Sequence, residues 1–434
     1  MTAGYRVTPV EKVSGRLRVP GDKSISHRSL MLGGIATGIT EVSGFLSSAD
    51  CLATMAALQS MGVQVEQRTP TDLRVHGRGV TGLRAPQHDL DMGNAGTAIR
   101  LFMGLLSGQR FATTLTGDDS LRRRPMERVA RPLRLMGAQI ATHDGKPPVR
   151  ITPAVRLAAI DYDLPVASAQ VKSAILLAGL RAEGTTMVSE PAPTRDHTEQ
   201  MLQSFGVELR REKGRVWLRG GQSLQAAPVA VPGDFSSAAF FIVAGCLAGA
   251  DDYVIENVGV NPTRTGLIDI LRLMGADIRL HLRSGAGSEP VADIKVRAAQ
   301  LHGIRVPEAL VPLAIDEFPV LFIAAVAASG ETVVTGAEEL RVKESDRLAV
   351  MAEGLGALGI ATQLTADGIT IQGGARFRPG RIDSHGDHRI AMAFAMASLR
   401  ADGPIEISDV LNVGTSFPGF AETARRAGLA LESA

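Results

Sequence analysis

One pattern recurs along the whole chain and constrains its fold more than any single motif. An amphipathic helix ends in an apolar turn, followed by glycine and then a short strand. The copies read LATMAALQSMGVQVE, MERVARPLRLMGAQIA, HTEQMLQSFGVELR, RTGLIDILRLMGADIRL, RLAVMAEGLGALGIATQ and FAETARRAGLALE. Their closing glycines, Gly62, Gly137, Gly206, Gly275, Gly359 and Gly428, recur at roughly 70 to 85 residues. Glycine just past the last helical turn supplies the left-handed cap that lets a chain reverse into a strand. A second, more apolar helix precedes each copy, starting near PGDKSISHRSLML, GNAGTAIRLFMG, VASAQVKSAILLAG, PGDFSSAAFFIVAG, IDEFPVLFIAAVA and GDHRIAMAFAMA. Each unit is therefore predicted as loop, buried helix, strand, amphipathic helix and strand, with further strands filling the remainder.

VPGDKSISHRSLML at Val19 and VPGDFSSAAFFIV at Val231 match almost literally, which divides the chain into two halves of three units. Such units could stack into an open solenoid, but they are longer than usual solenoid repeats and close more readily into globular domains. A length of 434 residues also exceeds what one hydrophobic core usually serves. The expectation is two α/β domains, residues 20–230 and residues 1–19 plus 231–434, with crossovers near Arg18–Pro20 and Pro228–Pro232. The strand around Tyr5 to Leu17 is expected to pair within the second of them.

Charge narrows the function classes. Lys plus Arg number 46 against 45 for Asp plus Glu, so no bulk electrostatic footprint for nucleic acid or an anionic membrane exists. The longest apolar run, Phe318 to Ala328, is far shorter than the roughly 20 residues that span a bilayer. The two cysteines, Cys51 and Cys246, form no CxxC pair and read as buried free thiols of a reducing compartment. With no apolar leader in MTAGYRVTPVEKVSG, the expected location is cytoplasmic.

Any cationic site must then be local, and the helix-start loops supply one. They carry Lys23, Ser24 and Arg28; Asn94, Gly96, Thr97 and Arg100; Ser168, Gln170 and Lys172; and His388 and Arg389. The loops before the amphipathic helices add Arg122, Arg123, Arg124, Arg195, Lys343 and Arg347. Helix N-termini present unpaired N–H groups and partial positive charge, which favour phosphate and carboxylate. Two unit charges about 4 Å apart interact by about 4 kcal/mol at an effective dielectric near 20, so a few cations hold a dianion well. Asp316 and Glu317 in AIDEFP, and Glu344 between Lys343 and Arg347, interrupt this basic set. By position, Asp316 is either a helix cap or a base, and Glu344 either an ion-pair member or a catalytic group.

Other motifs are set aside. GRGVTG, from Gly77 to Gly82, matches GxGxxG but continues into LRAPQ and not a helix. His385 and His388 in SHGDHR complete no common metal-ligand set and read as a helix-start network.

PGDKSISHR, GNAGTAIR, LRRRPM, SAQVKSAILLAG, TRDHTE, AIDEFP, RVKESDR and GDHRIAM, in this order over almost the whole chain, resemble the enolpyruvyl transferase family. The similarity is greatest to its branch acting on shikimate 3-phosphate. The resemblance implies two inverse α/β domains, each of three βαβαββ units, with the active site in the cleft between them. It implies transfer of the enolpyruvyl group of phosphoenolpyruvate to the 5-hydroxyl of shikimate 3-phosphate, with release of phosphate and without metal or organic cofactor. Lys23, Ser24, Arg28, Ser168, Ala169, Gln170, Arg195, Asp316 and Lys343 match positions for shikimate 3-phosphate. Lys23, Asn94, Gly96, Arg124, Gln170, Arg347, His388 and Arg389 match the phosphoenolpyruvate side. Asp316 is the expected base and Glu344 the proton shuttle at the methylene carbon, with Lys23 assisting. A monomer is expected, and Gly96, where tolerant relatives carry Ala, implies inhibition by glyphosate.

Some relatives carry a Lys shortly before a C-terminal TFP-type motif; here GTSFPGF has Thr415 there. The sister activity on UDP-N-acetylglucosamine is the nearest rival, but its mobile-loop Cys is missing from GDDSLRRRP. A non-catalytic repeat scaffold with an anion cleft would gain nothing from Asp316 and Glu344 among its cations.

Overall fold

The computed structural model describes residues 3–283 and 289–433. They form two compact lobes: Gly21–Val231, and residues 3–20 with 232–283 and 289–433. Each lobe is mixed α/β and buries its own apolar core. All six closing glycines adopt positive φ, between 81° and 99°, which an L side chain would strain.

One strand order recurs in the main sheets. In the third repeat Asp161–Asp163 runs parallel to Thr185–Ser189, which pairs antiparallel with Arg215–Arg219, and Leu209–Glu212 closes the edge. The fifth repeat keeps only Glu331–Val334, Ile369–Gln372 and Thr362–Leu364 as a sheet, while Arg305 makes a lone parallel bridge to Val333 in the first strand's place. Three of the main sheets borrow strands from distant sequence. Val229–Ala230 completes the first repeat beside Ile39–Ser43. The N-terminal segment, expected as one strand, makes two, because Pro9 has no N–H to donate and Gly15 turns at φ 86°. Gly4–Thr8 inserts between Ile405–Ser408 and Ala430–Ser433 of the sixth repeat, and Arg16–Arg18 pairs with Val254–Gly259 of the fourth.

The apolar helices are the core. In the second lobe Phe235–Ala248, Phe318–Ala327 and His388–Ala397 pack on one another and are buried almost throughout. In the first lobe Gly96–Leu106 and Ala169–Gly179 approach so closely that a Cβ on Gly104 would lie 2.1 Å from the Ala174 carbonyl oxygen. Only glycine permits that contact. The result is that the N-termini of the buried helices carry the polar loops on rigid supports.

Candidate active site

In the first lobe three helix starts present the candidate residues. Lys23 and Ser24 open the helix Lys23–Ile35, whose first turn is capped by Asp22 accepting from the Ile25 N–H at 2.8 Å. The Lys23 ammonium lies 3.0 Å from Asp50 Oδ2, both groups largely shielded. Arg28 is buried and donates from Nε to Thr198 Oγ1 at 2.7 Å, from Nη1 to the Ser24 carbonyl at 3.0 Å, and from Nη2 to Ser173 Oγ at 3.0 Å. That ties the start of the first repeat to the third.

The helix Gly96–Leu106 has no side-chain cap, unlike the other two buried helices of this lobe. Arg124 lies beside its N-terminus, donating to Asn94 Oδ1 at 2.5 Å and Ser120 Oγ at 3.2 Å, and Asn94 in turn donates to Asp118 Oδ2 at 2.8 Å. A Cβ on Gly96 would stand 2.8 Å from Arg124 Nη1 and 3.2 Å from Arg100 Nη1. Arg100 donates to Gln170 Oε1 at 2.8 Å, and Gln170 Nε2 donates to Thr97 Oγ1 at 3.0 Å. An uncapped helix N-terminus beside two guanidinium groups is suited to a small dianion.

Ser168 caps the helix Ala169–Gly179, with the Val171 N–H donating to its hydroxyl at 3.5 Å, and Ala169 and Gln170 form its first turn. Arg195 is half-buried in the loop ahead of His197–Ser204. Lys172, grouped by sequence with the anion residues, is buried against Glu190 at 3.0 Å and Glu199 at 2.8 Å. Two internal carboxylates already neutralise it, so it is a structural ion pair.

In the second lobe Asp316, Lys343, Glu344, Arg347 and Arg389 form one cluster, with His388 buried beside Arg389 at the start of its helix. Arg347 is fully buried and is its hub, reaching Asp387 Oδ2 at 2.8 Å, Glu344 Oε2 at 2.7 Å and Asp316 Oδ1 at 3.3 Å. Lys343 lies 3.6 Å from Asp316 Oδ1, and Arg389 lies 3.9 Å from Asp316 Oδ2 and donates to its carbonyl at 3.2 Å. Asp316 is not the cap of the helix Phe318–Ala327; Glu317 holds that position. Asp316 is left to its three cations, and Glu344 is an ion-pair partner of Arg347.

The electrostatics follow from burial and these neighbours. Burial pushes the Lys343 ammonium below its ordinary value; Asp316 and Glu339 offset part of that, and Arg347 works against them. Burial would raise the Asp387 carboxyl, but the adjacent Arg347 guanidinium more than offsets it and holds Asp387 below the usual range. Burial alone would lower Arg347, and Asp387, Glu344 and Asp316 together raise it.

Sequence reasoning overlooked the partners: Asp50 for Lys23, Asp118 for Asn94 and Asp387 for Arg347. Only Asp387 carried a signal, since it precedes an apolar helix and accepts from the Arg389 N–H at 2.9 Å as a cap. Caps also occur at Asp22 beside Lys23 and at Ser168 beside Gln170, so these helix starts combine ordinary capping with the anion-suited side chains. Thr415 lies in the turn Leu411–Thr415, which packs on His388–Ala397, and its hydroxyl donates to the Asn412 carbonyl at 2.7 Å. Gly77–Gly82 opens no helix. Among the described residues no His, Cys, Asp and Glu side chains group as a metal site, and no helix is long and apolar enough to cross a membrane.

The chain is similar to known proteins over almost its whole length. The family model described as EPSP synthase (3-phosphoshikimate 1-carboxyvinyltransferase) matches residues 7–424. A 3-phosphoshikimate 1-carboxyvinyltransferase of Methylococcus capsulatus is 59% identical over 99% of this chain and 98% of its own length. That of Alkalilimnicola ehrlichii is 58% identical over 98% and 96%. The solved EPSP synthase of Acinetobacter baumannii superposes with a TM-score of 0.88 at 53% identity over the full length of both chains. The enolpyruvyl transferase NikO of Streptomyces tendae shares the fold, with a TM-score of 0.79 at 17% identity over 100% of this chain and 99% of its own.

Proposed function

Because the chain belongs to the EPSP synthase (3-phosphoshikimate 1-carboxyvinyltransferase) family, we propose that the residue sets of its two lobes serve the two steps of one addition–elimination. The enzyme transfers the enolpyruvyl group of phosphoenolpyruvate to the 5-hydroxyl of shikimate 3-phosphate. Lys23, Asn94, Gly96, Arg124, Gln170, Arg347, His388 and Arg389 serve phosphoenolpyruvate. Lys23, Ser24, Arg28, Ser168, Ala169, Gln170, Arg195, Asp316 and Lys343 serve shikimate 3-phosphate.

In the addition, Asp316 takes the proton of the attacking hydroxyl, whose oxygen bonds to C2 of phosphoenolpyruvate while Glu344 gives a proton to the methylene carbon. In the elimination, Glu344 takes a proton back from the new methyl group, the C2–phosphate bond breaks, and inorganic phosphate leaves with the electron pair. Asp316 passes its proton to the departing phosphate, which resets the base, and Lys23 assists the transfer at the methylene carbon. The observation that carries this reading is the cluster on Arg347. It holds two carboxylates, Asp316 and Glu344, among Lys343 and Arg389, so acid–base groups sit inside a cationic frame.

The reading is tested by mixing the purified chain with both substrates in the presence of EDTA. Phosphate release should require both and yield an enolpyruvyl ether. Release without shikimate 3-phosphate, or only with UDP-N-acetylglucosamine in its place, would overturn it.

The same reading makes the enzyme a cytoplasmic monomer. Its two thiols are buried, and burial pushes Cys246 up to about 12 and Cys51 further, which leaves both inert at neutral pH. It also makes glyphosate an inhibitor in the phosphoenolpyruvate pocket; full activity in millimolar glyphosate would refute this. Gly96→Ala should leave the fold intact yet push Arg124 Nη1 from the 2.8 Å approach. Inhibition should then weaken about tenfold or more, or ~1.4 kcal/mol, with a smaller rise in KM for phosphoenolpyruvate. Unchanged inhibition curves would show that this approach does not shape the pocket.

A further inference from the structure

We infer that Glu317 is a positioning residue that orients Arg389 through a buried polar chain joining the fourth, fifth and sixth repeats, an inference that rests on the assignment of Arg389 to phosphoenolpyruvate. Glu317 is 2% exposed. It stands at the cap position of Phe318–Ala327, but its side chain makes no capping bond. Its Oε1 accepts from the Ser236 hydroxyl and lies 3.9 Å from Arg389 Nη1. The Ser236 oxygen accepts from Arg264 Nη2 at 2.8 Å, and that nitrogen also reaches Asp234 Oδ1 at 3.3 Å. Asp234 closes the chain by capping Phe235–Ala248, accepting from the Ser236 N–H at 2.7 Å.

A buried carboxylate is costly unless paired and hydrogen-bonded, and neither capping nor proton transfer accounts for this one. Its Oε2 is buried with no hydrogen-bond partner among the described residues, a further cost that a purely structural role would avoid. The repeat supplies a contrast. The fourth copy, PGDFSS, has Phe235 where the first, PGDKSI, has Lys23, and keeps the serine that follows. Phe235 is packed in the core, so the fourth helix start presents no ammonium to a ligand. Its serine instead meets a carboxylate of the protein itself. That internal anion draws on Arg389 from one side, while the Asp316 carbonyl accepts from the same nitrogen at 3.2 Å. One hydrogen bond to the Asp316 carbonyl and one ion-pair contact to Glu317 hold the same guanidinium nitrogen, as a supporting shell holds a ligand-binding group.

The sign of the effect separates positioning from charge alone. Removing a negative charge 3.9 Å from Arg389 makes the surroundings more positive, which by Coulomb's law alone would tighten binding of an anion. Positioning demands the opposite.

Steady-state kinetics on the full chain decide it, varying phosphoenolpyruvate at saturating shikimate 3-phosphate. Glu317→Gln should raise KM for phosphoenolpyruvate about tenfold with kcat within about threefold. Glu317→Asp, which keeps the charge, should recover most of that loss. Ser236→Ala, which leaves every charge in place, should move KM in the same direction by a smaller factor, and it tests the chain independently if Glu317→Gln folds poorly. An unchanged or lower KM in Glu317→Gln, or a lowered Tm with wild-type kinetics, would overturn the inference while the wild type stays active. An inactive wild type would overturn the functional reading and this inference with it.

Discussion

Replacing Asp316 by Asn is expected to lower kcat by about 10²- to 10⁴-fold, the usual share of a positioned general base. The amide has nearly the carboxylate's shape, so the packing around it should survive. It can still accept from Arg347, whose Nη1 lies 3.3 Å from the carboxylate oxygen, but it cannot take up a proton from the attacking hydroxyl. Circular dichroism and Tm should therefore stay near wild type, and KM for phosphoenolpyruvate should move little. If Asp316 were only a counter-ion for Lys343, Arg347 and Arg389, kcat would fall less than about tenfold.

Arg347→Met is expected to produce the largest loss of stability, about 3–5 kcal/mol, the cost of breaking a buried ion pair by removing one partner. The side chain is fully buried and joins Asp387, Glu344 and Asp316, so its loss removes a cation from three carboxylates, Asp387 in complete burial. At roughly 2–4 °C per kcal/mol for a unit of this size, Tm should drop by about 10 °C. The pH dependence has a definite sign. In the wild type, Asp387 is held below its unfolded value, so its contribution is present above the unfolded carboxyl range and is lost as pH falls through the lower folded value. Without the guanidinium, burial raises the Asp387 carboxyl, and the penalty is greatest when it must ionise at neutral pH. The Tm difference between variant and wild type should narrow as pH falls from 7 toward 5. A difference that is constant across this range would mean that Arg347 contributes packing and not charge.

What could be read from sequence, and what could not, divides along a physical line. The left-handed turns at Gly62, Gly137, Gly206, Gly275, Gly359 and Gly428 are local, set by one residue type after an apolar helical turn, and the structure has all of them. The two-domain α/β architecture follows from that period. The identity of a charge's partner is not local. Lys172 and Lys343 look alike in sequence, each near a helix start among polar residues. Lys172 is claimed by Glu190 and Glu199 on a following loop and helix, whereas Lys343 faces Asp316 at the buried-helix start of its own repeat. Asp50 and Asp118 could not be found for the same reason: each meets its partner, Lys23 or Asn94, across an interval that only the folded repeat closes. Glu317 was visible only as the neighbour of Asp316, and its link to Ser236 spans 81 residues.

The borrowed strands impose an order of events during synthesis. The lobe Gly21–Val231 contains all its own strands, and Val229–Ala230 completes its first sheet as soon as that stretch leaves the ribosome. The segment Gly4–Thr8 is made first, yet both its neighbours, Ile405–Ser408 and Ala430–Ser433, are made last. With roughly 200 residues following Val231, and elongation of about 5–20 residues per second, the earliest strand waits about 10–40 s beside a finished domain before its sheet exists. Throughout that time it is an unpaired strand carrying the apolar Val7, a natural target for a holdase chaperone. A bulky tag at the N-terminus would burden this late docking step, leaving the first lobe to fold undisturbed.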